Sequence, residues 1–162
     1  MSSLASAFGK DFVKNKDKVR TRTFDLGGHT FKVKVPLTSE FEIMQERMKV
    51  VDDEKVEKYY KEITKDLEKY RDNPDSDLKC EFLENDIVID GRSMREAAKN
   101  KIIAENRITE MFKLLVPEEK DFNMESITYA MVEELFPFAI QMQVVEMIGK
   151  VVSPNYEAQK GK

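Results

Sequence analysis

The chain is poor in the side chains that most enzymes rely on. Its 162 residues include one histidine, one cysteine and no tryptophan. A zinc site built from several His or Cys ligands is excluded by count, and so is a disulfide within the chain. Any Ser-His-Asp or Cys-His arrangement would have to recruit His29, the sole imidazole. Glycine is scarce as well, and no glycine-rich phosphate loop is present. Long apolar runs are also missing. The most apolar stretch, Leu135 to Val152, is interrupted by Pro137, Gln141, Gln143, Glu146 and Lys150, more polar residues than a membrane span carries. The first eight residues hold no apolar run of signal-peptide length, so a cytosolic chain with reduced Cys80 is expected.

Charge is what the sequence has in excess. Charged residues make up 36%, against a usual value of about 25%, and 31 acids outnumber 27 bases for a net charge of −4. A general nucleic-acid binder that relies on phosphate attraction is not expected from this balance. The charge is also segregated. Residues 1–36 hold 8 bases and 3 acids, whereas residues 37–162 hold 19 and 28.

Two β-type runs, Thr21 to Leu26 and His29 to Val35, flank Gly27-Gly28 and predict a hairpin over 20–36 with a two-residue primed turn. The register that places Leu26 opposite His29, Phe24 opposite Phe31 and Arg22 opposite Val33 puts Phe24, Leu26, Phe31, Val33 and Val35 on one face. Before it, residues 1–19 read as a basic arm, a short helix bearing Leu4, Phe8 and Phe12 that fades into a linker. After it, a body over 37–152 has helical periodicity. Thr38 or Ser39 can cap the first helix, with Ser39 and Glu42 at capping-box spacing. Asp52-Asp53 breaks or restarts that helix ahead of Val56, Tyr59, Ile63 and Leu67. Arg71 to Lys79 has loop composition, and Ile87-Val88-Ile89 reads as a third short strand or an edge of the hairpin sheet. Ser93 with Glu96 opens a long helix to about Leu115, stopped by Pro117. Asn123 can cap a helix bearing Ile127, Met131 and Leu135, and Pro137 starts the last helix. Residues 153–162 form a polar tail expected to be flexible. The fold class expected is therefore α+β: one domain over 20–152, with the hairpin packed on four to five helices.

His29 at the turn end reads as a residue covering the hairpin's apolar end, and Cys80 as a small apolar filler with no base or positive field beside it. Glu84, Asp86 and Asp90 around Ile87-Val88-Ile89 could hold a hard cation, which makes a divalent-metal carboxylate enzyme the alternative reading. Pro74-Asp75 with Asp77-Leu78-Lys79 superficially evokes a nuclease motif, but its halves are too close to sit on separate strands. The basic arm, Lys10 to Arg22, lacks the interleaved aromatics that stack on bases. The C-terminal third is different: five of nine methionines (Met111, Met124, Met131, Met142, Met147) fall there with Phe112, Phe122, Phe136 and Phe138. The last helix is apolar around most of its circumference, so it is either central core or an interface. Phe138, Ile140, Met142, Val144, Met147 and Val151 are its candidate partner-binding residues.

The run Phe24-Asp25-Leu26-Gly27-Gly28-His29-Thr30-Phe31-Lys32-Val33-Lys34-Val35-Pro36-Leu37-Thr38, followed by an acidic helix, resembles the N-terminal part of tail assembly chaperones of long-tailed bacteriophages. The resemblance covers mainly residues 24–50. It implies a non-enzymatic protein with no cofactor, made in the cytoplasm of the infected bacterium. It also implies binding to the long helical tape measure protein and other tail proteins, with self-association and with neither nucleic acid nor membrane as partner. A phage structural or host-targeting adaptor is the neighbouring expectation.

Overall fold

Gly27 and Gly28 both take positive φ, 60° and 80°, which is the conformation a primed two-residue turn requires and which glycine adopts without steric cost. Strands β1 (Thr21–Leu26) and β2 (His29–Lys34) pair antiparallel across it, with Leu26 opposite His29, Phe24 opposite Phe31 and Arg22 opposite Val33. Alternation then sorts the faces: Phe24 and Val33 are buried, whereas Thr23, Asp25, Thr30, Lys32 and Lys34 are exposed. The structure, a computed structural model, describes residues 3–71 and 79–156 of the chain and is α+β. The Pro74 to Leu78 motif lies outside the described residues.

The chain divides into two compact units. The first runs to Gln45 and resumes at Ile108; the second is Glu46–Arg107. In the first unit the arm is helical rather than a linker: α1 (Leu4–Ala7) is followed, after Gly9, by α2 (Lys10–Arg20). Arg20 closes this segment onto the hairpin, its Nε donating to the Val35 carbonyl at 3.1 Å and its guanidinium pairing with Glu40. Helix α3 (Thr38–Met48) does not use the Ser39–Glu42 box. Its first carbonyl is that of Leu37, whose N–H donates to Glu40 Oε1 at 2.9 Å. That hydrogen bond, with the Arg20 guanidinium and against the opposing effect of burial, holds the Glu40 carboxyl below its ordinary range.

Two expectations about strands change. The third strand of the hairpin sheet is β6 (Leu115–Val116), paired with β2, and not Ile87–Ile89. Pro117 drives Val116 out of the helical region, because the residue before a proline is restricted to extended backbone, and pairing with β2 makes the segment a strand. Helix α5 (Met94–Phe112) accordingly ends three residues earlier than expected, and the Lys34 N–H takes the Leu114 carbonyl at 2.8 Å. Ile87–Ile89 is instead β4, the centre of a separate sheet in the second unit. It lies between β3 (Cys80–Phe82) and β5 (Arg92–Ser93), with Asp90-Gly91 as its own primed turn at φ 50° and 78°.

The second unit is otherwise helical. Asp52 caps α4 (Asp53–Thr64), accepting from the Glu54 N–H at 3.1 Å, so the chain breaks here into two helices. Val56 packs with Ala98 and Ile102 of α5, and Val51, Tyr59, Tyr60 and Ile63 close around them.

In the first unit Asn123 caps only a single 3₁₀ turn, Met124–Ser126, while Thr128 caps α6 (Tyr129–Leu135). Ile127 therefore precedes the helix and is buried, Val132 faces the core, and Met131 and Leu135 are turned outward. Pro137 does open the last helix, α7 (Phe138–Val152), which lies against β1 and β2. Arg22, on the core face of β1, donates to the carbonyls of Val151 at 2.6 Å and Ser153 at 3.0 Å, satisfying the end of α7. The same guanidinium lies 4.7 Å from the Tyr156 ring. Residues 153–156 are thus held against β1 through Arg22. Residues 157–162 lie outside the described residues.

Candidate functional site

The body's most unusual surface is the corner between α6 and α7, where the two helices bend by 111° across Phe136-Pro137. A buried amide supports it. Gln141 is 1% exposed, accepts from the Tyr129 hydroxyl at 3.0 Å and donates to the Phe136 carbonyl at 2.8 Å. The Phe136 ring meets Phe112 edge to face at 5.4 Å. One face of α7, formed by Gln141, Val144, Val145, Ile148 and Val151, is fully buried.

The opposite side of the corner is apolar and open. Met131 and Leu135 share a face of α6, and Phe138 and Met142 share a face of α7, each pair at i, i+4 spacing. Their exposures are 39%, 77%, 63% and 42%. The flanking charges are acidic: from Asp121 to Gly149 the sequence carries Asp121, Glu125, Glu133, Glu134 and Glu146 and no base.

The six candidate partner-binding residues therefore separate into groups. Phe138 and Met142 lie on the open corner, Val144 and Val151 in the core, and Ile140 and Met147 are half-buried. Met147 and Val151 also line an open groove of about 320 Å³ beside Thr23, Phe24, Lys150 and Tyr156. Sequence periodicity missed Met131 and Leu135 as part of this surface. The signal available was the Thr128 hydroxyl, whose capping of α6 shifts the helix start past Ile127 and rotates the assigned face.

The alternative carboxylate site is a structural knot. Asp86 accepts from the Ile87 N–H at 2.8 Å, the Arg95 N–H at 3.1 Å and the Ser93 hydroxyl. Burial raises its pKa, but those three hydrogen bonds and the Arg95 charge outweigh burial and hold it below the ordinary value of 3.8. Ser93 in turn accepts from the Glu96 N–H at 3.2 Å, so Asp86 and Ser93 together cap α5. Asp90 occupies the positive-φ turn and Glu84 is exposed. Among the described residues no three of His, Cys, Asp and Glu come together in a way that could hold a metal.

Arg95 pairs with Glu57 and lies 4.2 Å from the Tyr60 ring, tying α5 to α4. His29 is exposed and touches Phe31 edge to face at 4.6 Å, and burial pushes the Cys80 thiol up in pKa. Among the described residues no single helix is long and apolar enough to cross a membrane; α6 and α7 reach that composition only together, across their bend.

An α+β fold carrying an outward-facing apolar helix corner is what these residues define. No protein-family model, no curated protein and no solved structure matches the chain.

Proposed function

We propose that this chain is a tail assembly chaperone of the long-tailed bacteriophage kind, which holds the helical tape measure protein soluble until the tail is built around it. The observation that carries the reading is the exposure of Leu135 and Phe138 on either side of the Phe136-Pro137 corner. Large apolar side chains held outward on a well-packed frame cost solvation free energy unless a partner covers them. Met131 and Met142 beside them supply unbranched, polarizable side chains that adapt to varied apolar surfaces along a long client helix. The highly charged remainder keeps the complex in solution. The resemblance of residues 24–50 supports the class of client, and many weak copies along one client give avidity without strong single contacts. On this reading the protein acts in the cytoplasm of the infected bacterium, uses no cofactor and performs no covalent chemistry.

The test is co-expression with the tape measure protein that this reading requires to be encoded beside it. The wild-type chain is expected to keep that protein in the soluble fraction, and Leu135→Glu with Phe138→Glu to lower the soluble yield by about tenfold or more, as loss of two anchoring side chains implies. Val50→Glu, at a residue 65% exposed in the second unit, is the control and should leave the yield unchanged. A client that stays insoluble with the wild-type chain, or equally soluble with the double variant, overturns the reading.

A further inference from the structure

The arm and the corner form a complementary pair. No residue of α1 or α2 is buried: Leu4 is 76% exposed and Val19 67%, and Phe8, between the two helices, is 64% exposed. An eleven-residue helix with no buried side chain is marginal in water, because nucleation is costly and so short an element gains little from propagation. Phe8 and Phe12 meet edge to face at 5.2 Å, so the arm carries an aromatic pair whose outer ring, Phe8, is exposed and whose inner ring, Phe12, is half-buried. Its charge is basic: Lys10, Lys14, Lys16, Lys18 and Arg20 against Asp11 and Asp17. The α6–α7 corner has the opposite character, with four outward apolar side chains set in a stretch that contains acids and no base. Among the described residues nothing covers either surface.

We infer that copies of this chain associate head to tail, the basic α1–α2 arm of one copy covering the apolar, acidic α6–α7 corner of the next. Apolar burial supplies the attraction, and opposite charge sets the orientation, since arm on arm or corner on corner would oppose like charges. An arm-to-corner contact joins two different surfaces, so it closes into a ring, a reciprocal exchange between two copies being the smallest, or extends as an open filament. The inference concerns the corner when no client is present and does not depend on the tape measure reading.

Sedimentation of the full chain from about 10 μM to about 1 mM tests it, a range that spans weak self-association. The mean mass is expected to rise above that of the monomer with concentration, and to fall when ionic strength goes from about 0.05 M to about 0.5 M. Two exposed-site variants then separate the surfaces. The arm variant, Leu4→Glu with Phe8→Glu, and the corner variant, Leu135→Lys with Phe138→Lys, should each be monomeric alone with unchanged melting temperatures. Mixed, they should form a one-to-one heterodimer, because one retains an intact corner and the other an intact arm. A wild-type chain that is monomeric throughout, a variant that still oligomerises, or a mixture that stays monomeric each overturns the inference.

Discussion

Replacing Gln141 with leucine is expected to lower the free energy of unfolding by about 2 kcal/mol, even though the substitution makes a buried position more apolar. The Phe136 carbonyl would lose its donor and the Tyr129 hydroxyl its acceptor at a site 1% exposed, and a buried polar group deprived of its partner costs about 1–3 kcal/mol. Gln141→Ala adds a cavity and should cost about 4 kcal/mol. The neighbouring Met142→Gln, on the open face, should stay within about 0.5 kcal/mol of wild type. Urea unfolding of the three variants checks the set. Should Gln141→Leu match or exceed wild-type stability, the corner owes its shape to apolar packing alone, and the amide has no structural role.

The second unit should depend as strongly on Asp86. Asp86→Ala removes the acceptor of two backbone N–H groups and one hydroxyl, and so uncaps α5; about 3 kcal/mol of destabilisation is expected. Asp86→Asn retains one carbonyl oxygen for the N–H donors and should cost less. The pH dependence has a definite sign. Because the folded pKa lies below 3.8, the contribution is fully present above that value and is lost as pH falls through the folded pKa. The stability gap between wild type and Asp86→Ala should therefore be constant near neutrality and narrow in acid. A gap that widened in acid would contradict the ionised, hydrogen-bonded carboxylate. Magnesium provides a second check. A melting temperature raised by magnesium in wild type but not in Asp86→Ala would put the cation-binding reading ahead of the chaperone reading.

The hairpin was legible because two signals agree on it: strict alternation fixes which side chains face inward, and Gly27-Gly28 fixes the register. Helix α4 was legible for the same reason, with Asp52 as cap and Val56, Tyr59 and Ile63 on one face. The third strand was not. Two residues of β6 carry no periodicity of their own, and only pairing with β2, far away in sequence, makes them a strand. The buried face of α7 was hidden for the opposite reason. A helix apolar on nearly every side does not announce which side packs, and the observed face includes Gln141, which composition assigns to the surface. Its burial becomes tolerable only once the bend at Pro137 brings the Tyr129 hydroxyl and the Phe136 carbonyl to it. Glu105 is a parallel case in the second unit. It interrupts the apolar stripe of α5 yet is 6% exposed, because the Tyr59 hydroxyl, on α4, donates to it at 2.6 Å. The six candidate residues accordingly spread over both the buried and the open faces of α7, and the exposed α6 side chains Met131 and Leu135 were not among them.

Amide hydrogen exchange, measured on the chain alone and in complex with the co-expressed helical client, tests the central claim most directly. A protein that works by holding another through the α6–α7 corner should gain protection across residues 129–142, with the β3–β5 sheet of the second unit unchanged. Protection confined to residues 80–93, or no change anywhere in a complex shown to have formed, would contradict it.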